Sequence, residues 1–217
     1  MLDEVIIMDQ HNDTLIYSQK IAAGIIRIDP GKKILRLGQV EIYKPTFALI
    51  TDTAGLMNLT WALDKLKSSD STGGKSSTLI SVNSIKIREG RFLLRNMRDS
   101  ETSSKINFNN LQLAGINCEL DDLRAGTDST TFRIYDLEFS ELNGFLVRSM
   151  NCRAVFADND IIFRDLFLYL DSSIINAEHI VISPDSQGSY SRFSEEVSLD
   201  FAFQKSLLPT FFHDGEI

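Results

Sequence analysis

Between Ile80 and Ile182 one arrangement returns about every 12 to 16 residues: apolar, any, apolar, any, any, apolar, any, apolar. The copies run Ile80/Val82/Ile85/Ile87, Phe92/Leu94/Met97, Ile106/Phe108/Leu111/Leu113 and Cys118/Leu120/Leu123/Ala125. They continue with Phe132/Ile134/Leu137/Phe139, Phe145/Val147/Met150/Cys152, Ile161/Phe163/Leu166/Leu168 and Ile175/Ala177/Ile180/Ile182. Asp99 breaks the second copy, so 31 of 32 pattern positions are apolar, against six of the 32 positions between them.

Alternation at period two predicts a β-strand with one face toward oil and the other toward water. The doubled spacer would flip the faces unless a bulge or bend absorbs the extra residue. Its second position is Ser84, Asn96, Asn110, Asp122, Asp136, Ser149 or Asp165, types that tolerate irregular backbone. One bend at the same depth in every strand predicts a curved, one-faced sheet. Leu35, Leu37, Val40 and Ile42 repeat the spacing, so the architecture begins before Ile80.

Earlier strands are predicted over Leu2–Met8, Thr14–Ile21, Gly24–Ile28, Ile34–Tyr43 and Thr46–Thr51. A short helix is predicted from Asn58 to Lys67, with Asn58 as its cap and Leu59, Ala62, Leu63 and Leu66 as its apolar stripe. A loop without apolar residues follows, from Lys67 to Ser77 apart from Leu79 beyond it. Arg88-Glu89-Gly90-Arg91 and Asn143-Gly144 read as hairpin turns, because parallel neighbours need a crossover of a dozen residues or more. The fold class expected is mainly β: an antiparallel meander of roughly twelve or thirteen bent strands, about 58 Å along the stack at 4.8 Å per strand. Three stretches divide it: 1–54 as amino-terminal strands, 55–79 as helix and loop, and 80–217 as the repeating groove.

A net charge of −8 argues against a nucleic-acid surface, and the one basic cluster in sequence, Lys32, Lys33 and Arg36, is small. Cys118 and Cys152 both fall on the apolar face, where a free thiol packs as a small hydrophobe. There is neither a signal peptide nor an apolar run of about 18 residues. The abrupt start and stop fit a segment of something longer. His11, His179 and His213 lack partners at triad or metal spacing. Asp158-Asn159-Asp160 lacks the glycine and distal glutamate of a calcium loop, and Thr72-Gly73-Gly74-Lys75-Ser76 lacks the spacing of a phosphate loop. The expectation is therefore no enzyme, no metal and no cofactor.

The apolar face needs cover, since each wet Leu, Ile or Phe forfeits about 1.5–3 kcal/mol. Either the sheet closes on itself, as a scaffold with a packed core, or its bends form a gutter lined for acyl chains. The lining in the second case would be Ile85, Ile87, Phe92, Leu94, Phe108, Leu111 and Leu120, continued by Ile134, Leu137, Val147, Met150, Phe163, Leu166 and Ile180.

Leu2-Asp3-Glu4-Val5 with Asp13-Thr14-Leu15-Ile16-Tyr17 resembles the start of a TamB-type protein of Bacteroidetes-like bacteria. Val40-Glu41-Ile42-Tyr43-Lys44-Pro45-Thr46-Phe47, followed by Gly55-Leu56-Met57-Asn58-Leu59, is similar to the AsmA/TamB order of strand, strand and Gly-x-x-Asn-Leu helix start. Val82 to Phe92 is similar to the next hairpin of that family. The resemblance implies a β-taco, or repeating β-groove, in a periplasmic envelope protein held to the inner membrane by a segment absent here. It implies phospholipid transport toward the outer membrane and a role in outer-membrane protein assembly. The implied partners are phospholipid acyl chains, the remaining portion of the same long chain and an assembly-type barrel of the outer membrane, with no nucleic acid. The alternative is a closed β-sheet scaffold or interaction protein of the envelope without a lipid conduit.

Overall fold

The computed structural model describes residues 1–29, 32, 34–59, 79–98, 107, 110–126, 129–142, 144–157, 160–183 and 198–207, the last stretch as backbone. Among them eleven strands form one sheet: β1 (Leu2–Met8), β2 (Thr14–Asp29), β3 (Ile34–Tyr43), β4 (Thr46–Thr51), β5 (Leu79–Asn96), β6 (Asn110–Ala125), β7 (Ser129–Glu141), β8 (Leu146–Ala157), β9 (Ile161–Leu170), β10 (Ile174–Ser183) and β11 (Ser198–Leu207). The mainly-β expectation holds. The order is β1-β2-β3-β5-β6-β7-β8-β9-β10-β11, with β4 paired to β2 and β5. Nine spacings across that path amount to about 43 Å, shorter than the expected 58 Å because several pattern copies share a strand.

β5 holds two copies of the pattern in 18 residues, and Arg88-Glu89-Gly90-Arg91 lies inside it. That stretch is therefore a bulge and not the expected hairpin: Arg88 and Glu89 together face Asn117 on β6, between the pairs Ile87↔Cys118 and Gly90↔Ile116. β7 and β8 do form the expected hairpin, with the Gly144 N–H on the Glu141 carbonyl, while Asn143 lies outside the described residues. Thr14–Ile21 and Gly24–Ile28 are likewise one strand, β2.

The meander is antiparallel from β1 to β3 and from β5 to β11, but β3 and β4 both run parallel to β5. This departs from the all-antiparallel expectation. β3 and β4 are two halves of one bent line, broken at Lys44 and Pro45. The Lys44 N–H bonds the Arg88 carbonyl at 2.8 Å, and the Arg91 N–H bonds the Pro45 carbonyl at 2.7 Å. The parallel seam exists because the chain between Thr51 and Leu79 is long enough for a crossover. The expected helix spans residues of which only Asn58 and Leu59 are described. Residues 60–67 lie outside the described residues.

The bends line up. Glu4, Lys44, Glu89, Asp136 and Asp165 all have φ between 47° and 54°, a left-handed conformation that costs a side chain with a Cβ about 1–2 kcal/mol. The registers place Glu4 opposite Gln19, Lys44 beside Glu89, and Glu89 beside Asn117. Asp136 and Leu137 together face Cys118, between the pairs Asn117↔Glu138 and Glu119↔Tyr135. Asp165 and Leu166 together face Cys152. Two intervening strands supply an asparagine: Asn117 Oδ1 accepts the Glu89 N–H at 2.9 Å, and Asn151 Oδ1 accepts the Asp136 N–H at 3.0 Å. A left-handed residue turns its N–H out of the ladder, and the neighbouring amide side chain satisfies it. One crease therefore crosses the sheet.

A second irregular line runs at Asp122, φ 53°, where Asp122 and Leu123 face Phe132. Asn83 and Ser84, expected to bend β5 at that level, carry no register shift against β6; the shift falls between β6 and β7.

At Asp136 the left-handed backbone is separable from the side chain. Asp136→Gly should unfold in urea within about 1 kcal/mol of the parent, since glycine adopts this φ freely but also gains entropy when unfolded. Asp136→Val should lose about 1–3 kcal/mol, because a β-branched residue is strained there. A valine variant as stable as the glycine one would overturn the crease assignment.

Candidate functional site: the apolar face of the bent sheet

The crease keeps each strand's apolar residues on one side. In β7, Phe132, Ile134, Leu137 and Phe139 are buried or half-buried, while Arg133, Tyr135, Asp136, Glu138 and Ser140 are exposed. The doubled spacer at Tyr135 and Asp136 thus carries the face across the bend unflipped. β9 does the same, with Phe163 before the bend and Leu166, Leu168 and Leu170 after it.

All eleven described strands belong to one sheet, so no second sheet lies over this face among the described residues. Yet Ala154 and Leu170 are 0% exposed and Ala177 is 2%. Such burial means that this side of the sheet is covered. Two clusters occupy it. The larger holds Ile134, Cys152, Ala154, Leu166 and Ala177, with Leu120, Phe132, Leu137, Met150, Phe163, Leu168 and Ile180 packed against it. The other holds Val147, Leu170 and Ile175, bordered by Phe139, Phe145, Met150 and Leu168. Small side chains, Cys152, Ala154 and Ala177, are buried in the larger cluster, and aromatic rings stand around them. Phe132 and Phe156 stack with centroids 5.5 Å apart, and Phe163 meets Phe156 edge-on at 6.5 Å.

Of the expected lining residues, these clusters unite Leu120, Ile134, Leu137, Val147, Met150, Phe163, Leu166 and Ile180. Ile85, Ile87, Phe92, Leu94 and Leu111 are half-buried on β5 and β6 outside the clusters, and the pair Ile85↔Leu120 joins β5 to the larger one. Phe108 lies outside the described residues. Only Ile134, Val147 and Leu166 of the fourteen are fully buried; the others described keep part of their surface open.

Cys118 and Cys152 are free and buried, as expected of core thiols. Burial pushes the Cys118 thiol up to about 11 and the Cys152 thiol up to about 12.

Asn58 is placed differently from a plain helix cap. Its Oδ1 accepts the Ile50 N–H at 3.1 Å and its Nδ2 donates to the Ala48 carbonyl at 3.0 Å, so the amide pairs with β4 as a strand backbone would. Asn58 Nδ2 also lies 3.4 Å from Asp9 Oδ2, while Asp9 Oδ1 accepts the His11 and Asp13 N–H groups. Beside it, His11 Nε2 is 3.6 Å from Asp52. The Leu56 N–H on Asp52 holds that carboxyl below the usual range. These bonds order two turns. Among the described residues no group of three or more His, Cys, Asp or Glu side chains is arranged to hold a metal, and no helix is long and apolar enough to cross a membrane.

On the opposite face the register assembles what sequence spacing had kept apart: Arg133 pairs with Arg153, and Arg153 with Arg164. The hairpin signal at Asn143-Gly144 could have revealed the first pair, since folding back about Asn143 brings those residues level.

The sequence matches no protein-family model and no curated protein.

The thiols give a pH test. An exposed thiol titrates near 9.0, so the raised folded values contribute stability that is complete below pH 9 and declines as pH rises toward 11 to 12. Iodoacetamide at pH 8 should leave the folded protein unlabelled and label it in urea. The urea midpoint should fall between pH 9 and 11, and fall less in Cys118→Ala/Cys152→Ala. Rapid labelling of the folded chain would contradict the burial.

Proposed function

We propose that this chain is a non-enzymatic segment of a periplasm-spanning envelope protein of the AsmA/TamB kind, whose apolar face carries phospholipid acyl chains between inner and outer membrane. On this reading its work accompanies outer-membrane protein assembly through a barrel partner. The observation that carries the reading is the apolar side of one creased sheet, half open across the strands from β5 to β10. Each acyl methylene buried there contributes about 0.8 kcal/mol. Neighbouring strands set apolar residues level, so a chain can lie across them; Glu141, buried at the end of β7 and level with Leu113, is an acidic residue on that side.

Growth of the same groove by further strands is part of the proposal. The β1 edge exposes Leu2, Ile6, Ile7 and Met8, and β2 exposes Ile25, Ile26 and Ile28 beside it. An apolar edge with unpaired backbone groups favours addition of another strand, which suits the remaining portion of a long chain.

Leu137 tests the conduit. It is half-buried beside the larger cluster, just past the crease. In an open groove, Leu137→Asp should keep the fold, lose about 1–2 kcal/mol of transfer energy, and co-purify with much less phospholipid by native mass spectrometry. Thermal melting and lipid content are measured together. An unfolded variant would point to a closed core, where an unpaired carboxylate costs several kcal/mol. A folded variant with its full lipid content would remove this stretch from the path.

A further inference from the structure

We propose that Arg124, Arg133, Arg153 and Arg164 form a phosphate-binding recess on the outer face of β6 to β9. The inference does not depend on the lipid reading of the apolar face. Arg133, Arg153 and Arg164 stand directly level on three successive strands, with His179 of β10 level with Arg164. Side chains so paired have Cβ atoms about 4.5–5.5 Å apart, and like charges in that relation repel. The three alternate with buried inner-face residues, such as Ile134, Cys152 and Ala154, so all three guanidinium groups point outward. Together with Arg124, Thr131 and Val155 they line a depression of about 350 Å³.

Carboxylates meet one end of the row: Asp122, on the rim of the depression, lies 3.8 Å from Arg133, and Asp121 is level with it on β6. Arg153, Arg164 and Arg124 have no ion-pair partner among the described residues. Three cations outside the row are paired: Arg27 is met by Asp29, Arg148 by Asp171 and Lys86 by Glu119. Four positive charges are thus gathered on a protein of net charge −8. The recess uses arginine throughout, and the planar fork of arginine grips phosphate oxygens through two parallel N–H bonds where lysine offers a point charge. The Thr131 hydroxyl supplies a neutral donor on the same rim. A phosphate group offsets the repulsion within the row, fits the fork geometry, and is small enough to touch several strands at once.

The phosphate could belong to a soluble ester or to a lipid headgroup, and two arms separate them. In the first, the thermal midpoint of the purified chain is followed against inorganic phosphate, with sodium chloride balancing ionic strength. The midpoint should rise with phosphate for the parent and for Arg148→Gln, whose arginine lies on the far arm. In Arg153→Gln/Arg164→Gln the apparent affinity should fall about tenfold or more. Because those side chains are exposed and mutually repelling, the double variant should be at least as stable as the parent without phosphate. In the second arm, co-sedimentation uses phosphatidylglycerol vesicles, with phosphatidylcholine vesicles as control. Binding to the former that is lost in the double variant assigns the phosphate to a headgroup; a phosphate response without vesicle binding assigns it to a soluble ester. A parent midpoint that follows chloride and phosphate alike overturns the proposal. So does an unchanged response in the double variant, or a polyglutamate peptide that binds more tightly than phosphate.

Discussion

Everything in this sheet depends on bending long strands at one depth without exchanging their faces. A strand has a side-chain period of two, so a single uncompensated residue would send every later apolar group into water. The chain solves this with bulges whose residues take left-handed backbone, and most of these are Asp or Glu in place of glycine. The conformation is tolerated because neighbours determine it. Asn117 and Asn151 stand on the adjoining strands and take up the N–H groups that the bulges at Glu89 and Asp136 turn out of the ladder. Acidic side chains at the bulges stay exposed on the outer side, where a carboxylate is fully hydrated.

Once the crease is set, the distribution of burial follows. A flat single-layer sheet leaves both faces wet, whereas folding each strand lets its two arms shelter the residues nearest the bend. Burial is deep at the small residues Cys152, Ala154 and Ala177 and also at Val147 and Leu170, while Phe132, Phe139 and Phe163 remain half open. This differs from a sandwich, in which a second sheet would bury both arms alike. The same geometry explains the raised thiols and leaves an apolar surface for a flexible, non-polar occupant.

The outer face is organised by the same registers. Because hydrogen-bonded partners are level, residues separated by 20 or 11 positions, such as Arg133 with Arg153 and Arg153 with Arg164, become neighbours. Net charge describes the chain as a whole and hides such a row. The cluster Lys32, Lys33 and Arg36, visible in sequence because it is contiguous, was the less informative basic group.

Local pattern alone determined the class of structure, the bounds of β1, β3 and β4, the identity of the inward residues, and the bulges at Asp122, Asp136 and Asp165. Each depends on period and residue type within about a dozen positions, which a sequence displays directly. Tertiary structure decided the rest. Whether Arg88 to Arg91 turns the chain or only bends it could not be read locally, since hairpins and bulges draw on the same residue types. The parallel seam between β3, β4 and β5 is a choice of partner across a long connection, and strand spacing carries no record of it. The arginine row arises only when registers are fixed, because its members share no local motif. Asn58 looked like a helix cap on its neighbours' evidence, while its amide is spent on β4, eight to ten residues back in the chain. Periodicity reports which way a side chain faces; only pairing across the sheet reports what it faces.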